Sequence, residues 1–144
     1  MYRKILVATD GSEHARRAVE RAACLARYTQ GQVTLVTVLR LPTSYLLALG
    51  SSIGMGSEPW AALQRASERI LEADLIFLLK QGITAAREMK VGNPAHEVLR
   101  LAREGRFDLI IVGRRGRGLT ESYFLGSVSD RISHEAPCDV LIVQ

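Results

Sequence analysis

Two short stretches of this chain carry residue types suited to anion chemistry. The first runs Val112-Gly113-Arg114-Arg115-Gly116-Arg117-Gly118 and continues to Leu125-Gly126-Ser127-Val128-Ser129. It follows an apolar run, Asp108 to Val112, that reads as a buried strand, and it leads into a helix opening near Gly126-Ser127. Glycines let a backbone come close to an anion. The first N–H groups of a helix have no intrahelical partner and carry the positive end of the dipole. Three arginines add planar donor forks that fit phosphate oxygens. The second stretch is Ala8-Thr9-Asp10-Gly11-Ser12, directly after the apolar run Ile5-Leu6-Val7. An aspartate at a strand end suits sugar hydroxyls, and Ser12 is placed to cap a helix.

Elements must bring these stretches together, and the composition bounds what they are. The chain has 144 residues, which fits one domain over 1–144, and 47% are hydrophobic, enough for a full core. No apolar run approaches the roughly 20 residues needed to span a bilayer. The start, Met1-Tyr2-Arg3-Lys4-Ile5-Leu6-Val7, enters a strand pattern at once without signal-peptide architecture, so a cytoplasmic location is expected. Cys24 and Cys138 form no CxxC and sit among apolar neighbours, which predicts buried free thiols. His14, His96 and His134 show no metal-ligand spacing. The net charge is +4, with 16 arginines and 3 lysines, which favours nucleotide or nucleic-acid partners in general. Arg16, Arg17, Arg21 and Arg27 fall beside Glu13 and Glu20 on one helical stretch and read as a solvated face.

In chain order, Arg3 to Ala8 predicts a strand buried on both faces. Ala15, Val19, Ala22, Ala23 and Ala26 recur at helical spacing up to Gln30-Gly31. Gln32 to Leu39 predicts a second buried strand. Arg40 to Pro59 is irregular and glycine-rich, with a short helical turn expected at Tyr45 to Leu49. Pro59 to Gln81 predicts a long helix with Leu63, Ala66, Ile70, Leu71, Asp74 and Leu78 on mixed periodicity. Ile83 to Val91 predicts a third strand, Gly92-Asn93-Pro94 a turn, and Ala95, Val98, Leu99 and Ala102 the inner face of a helix ended by Gly105. A fourth strand at Asp108 to Val112, a helix at Ser127 to Glu135 and a fifth strand at Asp139 to Val143 complete the pattern.

Strict alternation of apolar strands and helices predicts a doubly wound α/β fold with a parallel sheet and helices on both faces. Ligands of such sheets bind at the strand carboxyl ends, where the winding reverses. If strands 1 and 4 are neighbours there, Asp10 faces the glycine loop across one crevice. A GxxxxGK[ST] P-loop is absent, and Gly116-Arg117-Gly118 is followed by Glu121 where a GxGxxG would place its third glycine. Asp10 stands alone, without the acidic cluster that a response-regulator site requires.

The spacing Gly113-x2-Gly116-x9-Gly126-Ser127 resembles the G-x2-G-x9-G-(S/T) signature of ATP-binding universal stress proteins. The opening Ile5 to Ser12 is similar to that family's first strand and acidic turn, and Ala136 to Val143 to its last strand. The resemblance covers the whole chain. It implies a five-stranded parallel sheet in the order 3-2-1-4-5, with ATP in the crevice and a homodimer joined partly through the last strand, Asp139 to Val143. Mg²⁺ can ride on the nucleotide phosphates with few protein ligands. Carried over by position, Thr9 and Asp10 form the acidic turn with Asp10 on the ribose, and Ala8 and Val38 line the adenine pocket. Val112, Gly113, Arg115, Gly116, Gly126, Ser127, Val128 and Ser129 line the ribose and phosphate path. Asp139 stands where the family often has a second proline, and Arg114, Arg115 and Arg117 make the loop more basic than the signature requires.

Function follows as nucleotide binding in a stress-response switch, with at most slow hydrolysis, since Asp10 is the carboxylate the sequence places in the crevice. Phosphates are expected to order the loop 114–125 and alter the surface offered to a protein partner. The alternative is a protein–protein interaction module of the same fold that binds no nucleotide. No RNP, KH or helix-turn-helix signature supports nucleic-acid binding. His134 reads as a helix C-terminal charge and Trp60 as a packing anchor.

Overall fold

Strands and helices alternate throughout the computed structural model, which describes residues 1–41, 58–116 and 125–144. The strands are β1 (Lys4–Ala8), β2 (Gln32–Leu39), β3 (Ala85–Val91), β4 (Leu109–Gly113) and β5 (Asp139–Val143). The helices are α1 (Glu13–Thr29), α2 (Glu58–Lys80), α3 (Pro94–Glu104) and α4 (Ser127–Glu135). All strand pairs are parallel, in the order β3-β2-β1-β4-β5. The chain winds outward from β1 to β3, crosses back, and winds outward again through β4 and β5. Right-handed crossovers then require α1 and α2 on one face and α3 and α4 on the other.

Two cores fill those faces. Ile5, Val7, Val33, Leu35, Leu109 and Ile111 pack with the alanine stripe of α1 and with Leu71 and Leu78 of α2. Leu6, Val36, Ile110 and Val112 pack with Ala95, Val98, Leu99 and Ala102 of α3 and Ile132 of α4. Successive residues of one strand serve opposite cores, so an alternating apolar pattern on either strand would leave one face without its filling. Ile5, Leu6 and Val7 are fully buried, and each such side chain contributes about 1.5–3 kcal/mol. Register fixes the crevice: Ile5 lies opposite Leu109 and Ala8 opposite Val112, so β1 and β4 end level. At the other end of the sheet the Asp108 carboxylate accepts the amides of Arg3 (2.9 Å) and Lys4 (3.2 Å), which ties the two strand starts together.

Several local expectations need correction. Cys24 is exposed and Cys138 only partly buried, both as free thiols. The buried stripe of α1 is Ala15, Ala18, Val19, Ala22, Ala23 and Ala26, and the next 100° step past Ala23 turns Cys24 to solvent. Its apolar neighbours in sequence are not its neighbours on the helix face. Gln30, not a glycine, takes the left-handed position after α1 (φ 54°). Gly31 is needed for space, since a Cβ there would lie 2.6 Å from the Tyr2 carbonyl oxygen. Ile83 is buried, yet its amide donates to the Leu78 carbonyl (3.1 Å), so β3 starts only at Ala85. The turn expected at Tyr45 to Leu49 lies outside the described residues. None of the helices described is long and apolar enough to cross a membrane.

Candidate functional site

The carboxyl ends of β1, β2 and β4 open onto a cavity of about 600 Å³ at the point where the winding reverses. Ala8, Thr9, Asp10 and Val38 line it from β1 and β2. Val112, Gly113, Arg115 and Gly116 line it from the end of β4, and Gly126, Ser127, Val128 and Ser129 from the start of α4. The residues expected to line the adenine, ribose and phosphate path therefore meet in one place. Arg114 is not part of the lining, and Arg117 and Glu121 lie outside the described residues.

The turn after β1 is held from several directions. The Thr9 amide continues the sheet, donating to the Val36 carbonyl at 2.9 Å. The Thr37 hydroxyl donates to the Thr9 carbonyl, and the Thr9 hydroxyl donates to Asp74 Oδ2 of α2 at 2.8 Å. Asp10 Oδ1 accepts the Ser12 amide at 2.9 Å, and Gly11 between them has φ 76°, a conformation that favours glycine. Ser12 Oγ then caps α1 by accepting the Ala15 amide at 3.2 Å. Burial pushes the Asp74 carboxyl above its ordinary range, and the hydrogen bond from Thr9 pulls it partly back.

The glycines of the β4 loop act through space rather than through backbone freedom. Among the described residues the glycines at positive φ are Gly11, Gly82 and Gly92, so Gly113 and Gly116 are not turn glycines of that kind. A Cβ on Gly113 would lie 2.7 Å from the backbone carbon of His14, at the first turn of α1. A Cβ on Gly116 would lie 2.6 Å from Asp10 Oδ2. Gly113 is packed against the backbone of α1 and Gly116 against the Asp10 side chain, so a Cβ at either position forces a shift.

The start of α4 is braced against the same loop. The Arg114 amide donates to the Val143 carbonyl of β5 at 2.7 Å, and the Gly126 amide donates to the Arg114 carbonyl at 2.9 Å. Ser129, which is buried, donates to the Arg114 carbonyl (2.8 Å) and lies 3.0 Å from the Gly126 carbonyl. The N-cap of α4 is Gly126, which makes no side-chain cap bond. The first-turn amides of Ser127 and Val128 consequently belong to cavity-lining residues at the positive end of a helix whose cap has no side chain to cover them.

Sequence reading missed a whole wall. Leu63, Ala66, Ser67 and Ile70 of α2 line the cavity, with Arg40 at the end of β2 and Pro94 and Val98 of α3. Helical periodicity marks an inner face of α2 but does not tell which part of that face meets the sheet. Leu71 and Leu78 meet it, while the earlier turns overhang the crevice. Arg40 alone carried a readable signal, because it follows a strand end. His134 sits in the last turn of α4 as expected, with its Nδ1 2.8 Å from the Asp130 carbonyl oxygen. No group of three or more His, Cys, Asp and Glu able to hold a metal ion occurs among the described residues.

A parallel sheet in the order 3-2-1-4-5, wound on both faces and open at its switch point, defines a Rossmann-like α/β protein. The model of the Universal stress protein family matches residues 1–144, and the chain belongs to that family. A universal stress protein of Thermus aquaticus is 33% identical over 147 residues, covering 100% of both chains. The solved structure of the hypothetical protein MJ0577 superposes with a TM-score of 0.84 at 25% identity, covering 99% of this chain and 96% of that one. A universal stress protein solved in complex with cAMP superposes with a TM-score of 0.75 at 25% identity, covering 99% and 97%.

Proposed function

We propose that this protein binds an adenine nucleotide, ATP foremost, in the switch-point cavity and acts as a nucleotide-dependent switch with at most slow hydrolysis. The observation that carries the reading is the two kinds of residue that meet in one cavity. Asp10, the closely packed Gly116, Arg115 and the start of α4 bring polar and charged groups. Val36, Val38, Leu63, Ala66, Ile70 and Val98 bring apolar side chains. A nucleotide needs both kinds of surface, with phosphates and ribose at one end and a flat base at the other. A volume near 600 Å³ suits a ligand of that size. The cAMP complex of a relative with the same fold supports the choice of adenine.

In this reading the amides of Ser127 and Val128 and the Arg115 guanidinium hold the phosphates, and Asp10 accepts from the ribose hydroxyls. Val38 and Ala8 pack against the base. Mg²⁺ accompanies the phosphates, with most of its ligands from nucleotide and water. Asp10 is the carboxylate among the described lining residues, and phosphoryl transfer ordinarily calls for more acidic ligands than one; this favours binding over turnover. Arg114 couples the site to the rest of the domain, since its backbone bonds both Val143 of β5 and Gly126. Of the loop 114–125 expected to be ordered by phosphates, residues 117–124 lie outside the described ones, and the switch reading rests on these two anchors. The edge position of β5 supports a homodimer through Asp139 to Val143, and a cytoplasmic location accompanies the reading.

Calorimetric titration with ATP tests it, with Gly126→Val as the control. Binding by the wild type and at least about tenfold weaker binding by the variant, ~1.4 kcal/mol, are expected. No heat from the wild type, or equal affinity in both, overturns the nucleotide reading in favour of a protein–protein interaction module.

A further inference from the structure

Hydroxyl groups line the cavity at Thr9, Thr37, Ser67, Ser127 and Ser129. Thr9 donates to Asp74, Thr37 to the Thr9 carbonyl, and Ser129 to the Arg114 carbonyl. Those three are engaged by the protein. Ser127 is exposed at the start of α4. Ser67 differs from all of them. It is only 7% exposed, it sits on the α2 wall between Ala66 and Ile70, and its hydroxyl has no hydrogen-bond partner among the described residues. The hydroxyl is not closed off from the cavity, so a group bound there can reach it as donor or acceptor.

The surroundings say what that partner is. Leu63, Ala66 and Ile70 flank Ser67 on α2, and Val36 and Val38 line the same cavity from β2. These side chains suit a flat, largely apolar body whose rim carries a hydrogen-bonding atom. A nucleobase has this form, and a hydroxyl, which both donates and accepts, can meet either a ring nitrogen or an exocyclic amino group. We infer that Ser67 reads the edge of the base and sets base selectivity in this site. The inference rests on the nucleotide reading and adds a specificity residue that lies on α2, away from both loops that hold ribose and phosphate. Ser67 is a poor cap or bend residue at this position, well inside a helix of 23 residues.

The test is calorimetric titration of the wild type and Ser67→Ala with ATP, GTP and CTP. The expected result is a wild type that prefers ATP and a variant whose ATP affinity is lower by roughly three- to tenfold, the value of one neutral hydrogen bond. GTP and CTP affinities change less, so the preference flattens. Unchanged ATP affinity in Ser67→Ala overturns the inference while leaving nucleotide binding standing. A uniform loss for all three nucleotides also overturns it, since that reports damage to the pocket rather than lost base reading. A wild type that binds the three alike overturns it as well. No binding of any nucleotide by the wild type removes the nucleotide reading and this inference together.

Discussion

Gly116 faces the carboxylate of Asp10 so closely that a Cβ on it would lie 2.6 Å from Oδ2. Asp10 cannot retreat freely, because its other carboxylate oxygen accepts the Ser12 amide at 2.9 Å. The loop after β4 and the turn after β1 are therefore set by each other. Gly116→Ala is expected to rotate Asp10 out of place and weaken ATP binding by at least about tenfold, ~1.4 kcal/mol. The same change is expected to cost about 1 kcal/mol or less of stability. Calorimetry and thermal unfolding on one preparation check both numbers.

Gly113→Ala gives the opposite balance. The clash at 2.7 Å is with the backbone carbon of His14, and a backbone atom in the first turn of α1 cannot swing aside. Overpacking of this kind costs about 1–3 kcal/mol, so the midpoint of urea unfolding should fall clearly. A Gly113→Ala protein as stable as the wild type would show that β4 and α1 are less tightly packed than described.

Asp74 makes stability depend on pH in a direction that can be worked out. Burial raises its folded-state pKa above the ordinary 3.8, and the hydrogen bond from Thr9 opposes the rise. A raised carboxyl adds stability in full below that ordinary value and loses it as pH rises through the folded value. Asp74→Asn keeps an acceptor for the Thr9 hydroxyl and removes the buried charge. Relative to the wild type, the variant should gain stability as pH rises from 3.8 toward neutrality and then level off. Urea midpoints measured across that interval check the slope, and a gap that narrows with rising pH contradicts the assignment.

Ser12 caps α1 through its bond from the Ala15 amide. Ser12→Ala should cost about 1 kcal/mol, and Ser12→Gly only a few tenths of that unit. Both variants lack the hydroxyl, so a Ser12→Ala protein as stable as the wild type would mean that the cap bond contributes little.

Much of this arrangement was legible beforehand because the chemistry lies at strand ends. Ile5-Leu6-Val7 and Leu109-Ile110-Ile111 are too continuously apolar to be anything but interior strands, and they locate Asp10 and Gly113 at the edge where a ligand enters. The α2 wall was not legible. Leu63 and Ile70 look like core residues in sequence, and nothing local says that the first turns of α2 overhang the crevice while Leu71 and Leu78 reach the sheet. The Thr9–Asp74 bond joins residues 65 positions apart, and a helix-face pattern treats Asp74 as a flaw in an apolar stripe rather than a brace for the site. Cys24 misled for the same reason, since adjacency in sequence is not adjacency on a helix.

Self-association through the edge strand is the expected outcome of the proposed dimer. β5 has one paired side, toward β4, and its apolar residues Val140, Leu141 and Ile142 are only partly buried. Sedimentation at micromolar concentration should return twice the 15.9 kDa chain mass. A monomer under those conditions contradicts pairing through Asp139 to Val143.

The most direct test of the central claim is a crystal structure grown with ATP. Phosphate oxygens are expected within hydrogen-bond distance of the Ser127 and Val128 amides, ribose hydroxyls on Asp10, and the base against Val38 with its edge at Ser67. A nucleotide bound elsewhere, or a cavity without one at saturating ATP, would contradict it.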